Sequence, residues 1–454
     1  MPTRVLVIGA GLAGAEAAYF LARQGISVLL VESKVIQKTP AQKETTAAEL
    51  VCTNSLKSLD PHSSHGILKT EMKALGSVVL EVAMQHQVPA GGALAVDREK
   101  FSAEISAKLK SHPLIEWQDA IVENPIDFMQ KNNCTYGVVA SGPLTLLPLE
   151  NWIKQNVSAA DLYFYDAIAP VVDADTLGYD KLYFKDRYAT EGEGHYLNAP
   201  MNKEQYENFI EALKIAEKVP PKNFEEYKFF EGCLPIDTMA ERGMETARFS
   251  CMKPVGLELP DGTEPYAVVQ LRKENLLGNA YNLVGFQTRL TYGAQKEVFK
   301  LIPGFENAEF FKWGSVHRNS FLNSRELLSP DLSVKKYPHL FFAGQITGVE
   351  GYTESASIGL YVAFQILKRI QKENFILWPK ETGVGALVHY LMTMERASPS
   401  SINFGLFPDI TLNREQRKNP KRKKIKGQLI AERAKLALNG LIEQNKNYFL
   451  GEAL

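Results

Sequence analysis

The sequence predicts an α/β protein in which a two-part, Rossmann-like dinucleotide-binding domain is interrupted by an inserted α+β domain. Three observations carry this. Arg4 to Glu32 (RVLVIGAGLAGAEAAYFLARQGISVLLVE) reads strand, tight turn, helix, strand. Leu340 to Ser357 (LFFAGQITGVEGYTESAS) reads as a buried strand, a glycine-rich turn and a helix of small residues. Between them, from about residue 146 to about residue 320, aromatics and prolines become more frequent and interrupt the α/β alternation.

The first element, Val5 to Ile8, is a short apolar run rich in β-branched residues. Gly9, Gly11 and Gly14 follow in G-x-G-x-x-G spacing, with Ala10, Leu12 and Ala13 between them, and Ala15 to Arg23 is composed of good helix formers before Gly25 ends it. The first glycine permits the turn, the second lets backbone N–H groups approach a pyrophosphate at the helix N-terminus, and the third lets helix and strand pack closely. Glu32 closes the second strand where a carboxylate accepts from a ribose hydroxyl. An acid there favours an unphosphorylated ribose, hence FAD or NAD over NADP at this site. The late segment selects FAD: in two-part flavin folds of the glutathione-reductase-like kind, such a strand, the turn residues Gly344, Gln345, Gly348 and Gly351, and the helix after them complete the cofactor domain. Val138 to Leu144 (VVASGPL) reads as the middle strand and turn of that domain. The plainer readings are a glycine-rich turn that holds no nucleotide and an ordinary βα unit.

A chain of 454 residues has room for two or three domains. The expected division is 1–145 for the first cofactor part, 146–324 for the insert, and 325–454 for the second cofactor part with a basic segment and a terminal helix. Within it, Thr39 to Asp60 reads as loop, Gly66 to Gly76 and Glu99 to Lys110 as helices, Pro89 to Arg98 as a glycine-rich loop, Tyr266 to Arg272 and Tyr281 to Phe286 as strands, and Gln428 to Gln444 as a helix. Hydrophobic content of 45% and charged content of 23% are ordinary for a globular protein. No secretory signal or membrane-spanning stretch is visible, and four cysteines without C-x-x-C spacing point to a reducing, cytoplasmic setting with no membrane partner. Metal-ligand spacings, a Walker A loop and G-x-S-x-G are all missing, so no metal is expected. No second G-x-G-x-x-G follows a strand, so NAD(P)H would dock transiently. With a net charge of −1, a nucleic-acid partner needs a local patch. Arg414 to Lys426 (REQRKNPKRKKIK) offers one, eight basic residues against the single acid Glu415, beside the aromatics of NFGLFP. A solvated surface is the competing reading of that run.

Two cysteines stand in polar, turn-marked settings: Cys52 in ELVCTNS and Cys233 in FFEGCLPIDTMAERG. A packing cysteine usually occupies an unbroken apolar run, whereas one flanked by Asn, Gly and acids can be solvated and can ionise. Thiol chemistry beside a redox cofactor is the resulting expectation. A turn residue beside Pro235 and a polar loop residue remain the plain alternatives for Cys233 and Cys52. Cys134 and Cys251 read as structural.

Taken together, AELVCTNSLKS, PAGGALAVDR, YFYDAIAP, FFEGCLPIDTMAERG, MKPVGL, PYAVVQLR, YNLVGFQT, HRNSFLNS and FAGQITGVEGY resemble the folate- and FAD-dependent RNA uracil-5 methyltransferases, the short branch of the Gid flavoprotein family, over nearly the whole chain. The resemblance implies methylation of a uridine at C5 with carbon from methylenetetrahydrofolate and reducing equivalents from NAD(P)H. It makes Cys233 the nucleophile at uracil C6 and Cys52 the base at C5, places His317 on the folate pterin, and suggests Arg318 and Arg289 as partners of the folate glutamate. The plain alternatives are a core histidine and solvated arginines. Its common target is a tRNA T-loop uridine, with a large-subunit rRNA uridine as the alternative. The chain departs from the family pattern at Ser250-Cys251, Ala199, Thr353 and Ala397 to Ile402. Two readings of other classes stay open: a flavin oxidoreductase acting on a small molecule, and an RNA-binding flavoprotein without catalysis.

Overall fold

The computed structural model describes residues 3–158, 162–187, 194–220, 229, 234–395 and 398–449. Its central sheet runs in the order 333–334, 337–342, 136–139, 4–8, 27–32, 115–119. All neighbours are parallel except the short antiparallel edge pair formed by Ser333–Val334 and Tyr337–Phe342. The late strand therefore lies beside Tyr136–Val139 and next but one to the first strand of the chain. Sequence-distant pieces complete one sheet, as the split pattern of strand signals requires, and the two-part α/β fold with an inserted α+β region is what the chain adopts.

Helix Leu12–Arg23 covers this sheet and packs against the longest apolar helix, Tyr352–Ile370. Their approach is set by Gly359, where a Cβ would lie 2.2 Å from the carbonyl oxygen of Ala13. Gly14 does the same between helix and loop, since a Cβ there would lie 1.8 Å from the Gly9 oxygen. Gly9 itself has φ +97°, a left-handed conformation that penalises any side chain. The strands under these helices are nearly all buried, which fits their continuous apolar sequences.

The insert holds a second six-stranded sheet, entirely antiparallel, in the order 183–184, 197–201, 267–273, 280–283, 171–173, 310–312. Helices Lys203–Ile215, Ile236–Arg242 and Tyr292–Phe299 accompany it. Its core is aromatic, with Tyr206, Phe209, Phe286, Phe299 and Phe305 fully buried. Cys251 packs in this body beside Met239 and Gly285. Chain passes into the insert through Leu162–Ile168 and back through Ser315–Phe321, and these two strands pair antiparallel along their whole length.

The expected elements recur with shifted ends. The helix read at Gly66 to Gly76 spans Ser64–Ala74, begun by the Ser63 cap, and the Asp97 cap starts the next one at Arg98. Two readings need correction. The loop Pro89 to Arg98 contains the strand Ala93–Val96, and the loop Thr39 to Asp60 contains Ser55–Ser58; the two pair with each other. At four residues apiece they are too short to show a periodicity against the surrounding glycines and polar residues. The terminal helix starts earlier than expected, at Arg422, so much of the basic run is helical.

Candidate active site

The G-x-G-x-x-G loop opens a cleft lined by Gly9, Gly11, Leu12, Ala13, Glu32 and, from the late segment, Gly344 and Gln345. Ala10 and Gly14 sit behind this lining. Gly11 caps helix Leu12–Arg23 without a side-chain hydrogen bond, and a Cβ built on it meets nothing within 4 Å. The helix thus presents bare N–H groups to open space, as an anion site requires. Glu32 is buried; its Oε2 accepts from Ala10 N at 2.7 Å and its Oε1 from Ser33 N at 2.7 Å. Oε1 also accepts from Lys34 N at 3.2 Å and is filled, whereas Oε2 retains acceptor capacity, to which a ribose hydroxyl would donate. Gly344, Gly348 and Gly351 all have positive φ, which bends the late turn so that Gly344 lines the cleft and Gly351 the chamber next to it. Gly348 itself packs against Leu391 and Phe321.

At its far end this cleft shares Val51, Pro143, Leu144, Gln345 and Tyr352 with a second chamber. The chamber contains Cys52, Lys57, Asp166, His317, Asn319, Glu350 and Gly351. Two structural reasons bring these together. His317 and Asp166 are register partners on the paired crossing strands, so both point to one face. Glu350 and Tyr352 come from the turn that leads into helix Tyr352–Ile370.

The Cys52 loop is held residue by residue. Arg98 donates to the carbonyl of Leu50 at 2.9 Å, and Lys312 to that of Val51 at 2.6 Å. The N–H groups of Cys52 and Thr53 both donate to the Tyr352 hydroxyl, at 2.8 and 3.1 Å. Arg272 bonds Thr53 Oγ1 and Asn54 Oδ1, and the buried Asn54 amide donates to Val96 O and Lys273 O. Arg98 is itself paired with Glu274 through two contacts of 2.7 Å. Residues of both bodies therefore converge on this one loop.

Burial pushes the Cys52 thiol up to about 12, Asp166 and Glu350 add to the shift, and Arg98 and Lys312 oppose it. Burial also raises Asp166 to about 6 and Glu350 well above the carboxylate range. His317 shares a 3.0 Å hydrogen bond with Ser315 Oγ. Its neighbour Arg318 points to the opposite face of the ribbon, over the Tyr163 ring at 4.2 Å. Arg289 lines neither the cleft nor the chamber; its Nε is bonded to Asp237 at 2.5 Å and its Nη2 to Glu241 at 2.6 Å. The structure thus joins Cys52 with His317 but not with Arg318 or Arg289. Cys233 lies outside the described residues. Phe229, upstream of it, bridges to Tyr165, and Ile236 N, downstream, donates to Gln287 O at 2.8 Å.

No single signal in the sequence picks out Asp166, Glu350, Tyr352, Lys57, Arg98, Arg272 or Lys312. All but Lys312 stand inside segments quoted for their resemblance, and the acid and tyrosine on either side of Gly351, in a glycine-marked turn, are a usable signal. Nothing local marks Lys312.

Fold and site together define a two-part, nucleotide-binding α/β protein whose cofactor cleft ends at a thiol chamber. By sequence, the chain belongs to the family described as glucose inhibited division protein A, whose model matches residues 4–374. It is 48% identical over 414 residues, 90% of this chain and 93% of the relative, to methylenetetrahydrofolate–tRNA-(uracil-5-)-methyltransferase TrmFO of Enterococcus faecalis. The protein of the same name from Streptococcus pneumoniae is 46% identical over 438 residues, 94% of this chain and 97% of the relative. Among solved structures, GidA of Aquifex aeolicus superposes with a TM-score of 0.67 at 17% identity, over 98% of this chain and 75% of that one, a likeness of fold.

Proposed function

We propose that the protein is a folate- and FAD-dependent tRNA (uracil-5-)-methyltransferase. The observation that carries this is the identity of 46–48% over at least 90% of the chain with relatives of that name, joined to a cleft whose bare helix N-terminus and buried acid suit FAD. When bound, FAD would supply the reducing equivalents that turn the one-carbon unit of methylenetetrahydrofolate into methyl. Gly9, Gly11, Leu12 and Ala13 would hold its pyrophosphate, Glu32 its ribose, and Gly344, Gln345 and Gly351 would flank the flavin end.

The chain's own residues then serve the uridine. Uracil C5 is a poor nucleophile until a thiolate adds at C6; Cys233 performs that addition. Cys52 removes the C5 proton. Burial works against the thiolate that this task needs, and Arg98 and Lys312 work for it. His317, on the chamber wall, is placed for stacking on the pterin. Arg318 and Arg289 have partners that draw them from the chamber, so a role in binding the folate tail falls to them only at its outer edge. NAD(P)H docks from outside as reductant. The basic run Arg414 to Lys426 meets RNA, and the T-loop uridine leaves its stack to reach the chamber. The cell cytoplasm is the setting in which tRNA, folate and free thiols coexist.

The deciding experiment supplies the purified FAD-loaded protein with labelled methylenetetrahydrofolate, NADPH, and unmodified tRNA and rRNA in separate reactions. Label is expected in tRNA, at uridine C5; none in either RNA ends the proposal, and label confined to rRNA overturns the choice of target. Cys233→Ala and Cys52→Ala should each lower transfer by at least about a hundredfold, the typical worth of a positioned acid–base group, while the protein stays yellow.

A further inference from the structure

Cys52 faces acids in front and cations behind. On the chamber side stand Asp166 and Glu350, with His317 and Lys57 in the same lining. Behind the loop, a separate recess is lined by Glu49, Arg98, Glu274 and Lys312. Arg98 belongs to the cofactor body and Lys312 to the edge strand Phe310–Lys312 of the insert. Both ammonium and guanidinium groups end on consecutive carbonyls, Leu50 O and Val51 O, directly before the thiol. Hydrogen bonds to those carbonyls fix the loop, and two positive charges there stabilise a neighbouring thiolate.

We propose that Lys312, acting with Arg98, is a positioning residue for Cys52: it seats the thiol in the chamber and favours its ionised form, so that the thiol becomes reactive only where the insert is docked. This rests on the reading of Cys52 as a reacting group. Lys312 lines neither the cleft nor the chamber; its hydrogen bond to Val51 seats the loop, and its charge acts on the thiol through space. Its own ammonium is lowered to about 8, by burial first and then by Arg98. The same charge logic gives Asp166 the opposite sign, since its carboxylate opposes ionisation of the thiol.

The test is the rate of iodoacetamide labelling at Cys52 at pH 7, below the value of about 8 at which Lys312 loses its charge, read peptide by peptide by mass spectrometry in the full-length FAD-bound protein. Lys312→Met should slow labelling about tenfold. Lys312→Arg should restore the wild-type rate, and Asp166→Asn should raise it. Should Lys312→Met fold poorly, as its melting temperature would show, Lys312→Gln keeps a hydrogen bond to Val51 without the charge and should show the same slowing. An unchanged rate in a folded, yellow Lys312 variant lacking the charge overturns the proposal. Labelling needs neither folate nor RNA, so this result stands or falls separately from methyl transfer.

Discussion

At Glu71, burial and hydrogen bonding pull in opposite directions. Its carboxylate reaches across from helix Ser64–Ala74 to accept from Gly383 N at 2.6 Å and Val384 N at 2.9 Å, capping the start of helix Gly383–Thr393. Burial nonetheless wins and raises its pKa from 4.5 to about 8. The native state therefore keeps a proton that the unfolded chain releases between those values, so this group's contribution to stability is full below about 4.5 and is lost as pH rises toward 8. Glu71→Gln removes the dependence. Across that range the melting temperature of the wild type should fall relative to the variant, and a constant difference between the two would refute the shift. Nothing in the local sequence TEMKA announces this partner, 312 residues away. Cys52 is a different case: its place in the chamber lining is signalled locally, because its polar neighbours Thr53, Asn54 and Ser55 are unusual around a packing cysteine.

Among elements, the glycine loop separates binding from folding within three residues. Gly14 has no room, its absent Cβ lying 1.8 Å from a backbone oxygen; Gly11 has nothing nearby and a φ of −69°, which alanine tolerates. Gly14→Ala should thus lower the melting temperature of the apoprotein, because helix and loop must move apart. Gly11→Ala should leave that temperature unchanged yet weaken FAD retention at least about tenfold, ~1.4 kcal/mol, by filling the phosphate space. Thermal melts of the stripped protein and flavin absorbance after dialysis distinguish the two. Here the sequence was most informative, since strand, turn and helix obey local rules of backbone geometry and period. The short strands around residues 55–58 and 93–96 obey none strong enough to see, because pairing with each other is what holds them extended.

For the whole molecule, the terminal helix Arg422–Gln444 fastens a basic surface to the cofactor body. Its buried residues, among them Ile430, Leu438 and Leu441, join the main core, while Lys421, Arg422, Lys423 and Lys424 are exposed. Charge and anchor thus occupy different stretches of the helix, its first turn and the turns after it. Reversing two of these charges, Lys423→Glu with Lys424→Glu, should leave the melting temperature and FAD content unchanged, weaken tRNA binding, and reduce the logarithmic salt slope of binding by about two. An unaltered slope would remove this helix from the RNA-facing surface. The basic run was plain in the sequence. That its helix is docked, and that the Cys52 loop is built from both bodies, depended on contacts such as Arg272 to Asn54 and Lys312 to Val51, which span 218 and 261 residues and leave no local trace.

The crossing ribbon decides how the insert hangs on the rest of the molecule. Leu162 and Phe321, where the insert departs and rejoins, are register partners, about 5 Å apart as neighbours in a sheet. To the nucleotide-binding body, everything from one to the other amounts to a lengthened hairpin tip. Changes in the size or sequence of the far lobe therefore leave the main sheet's ladder untouched, while His317 and Asp166 on the ribbon keep their place on the chamber wall.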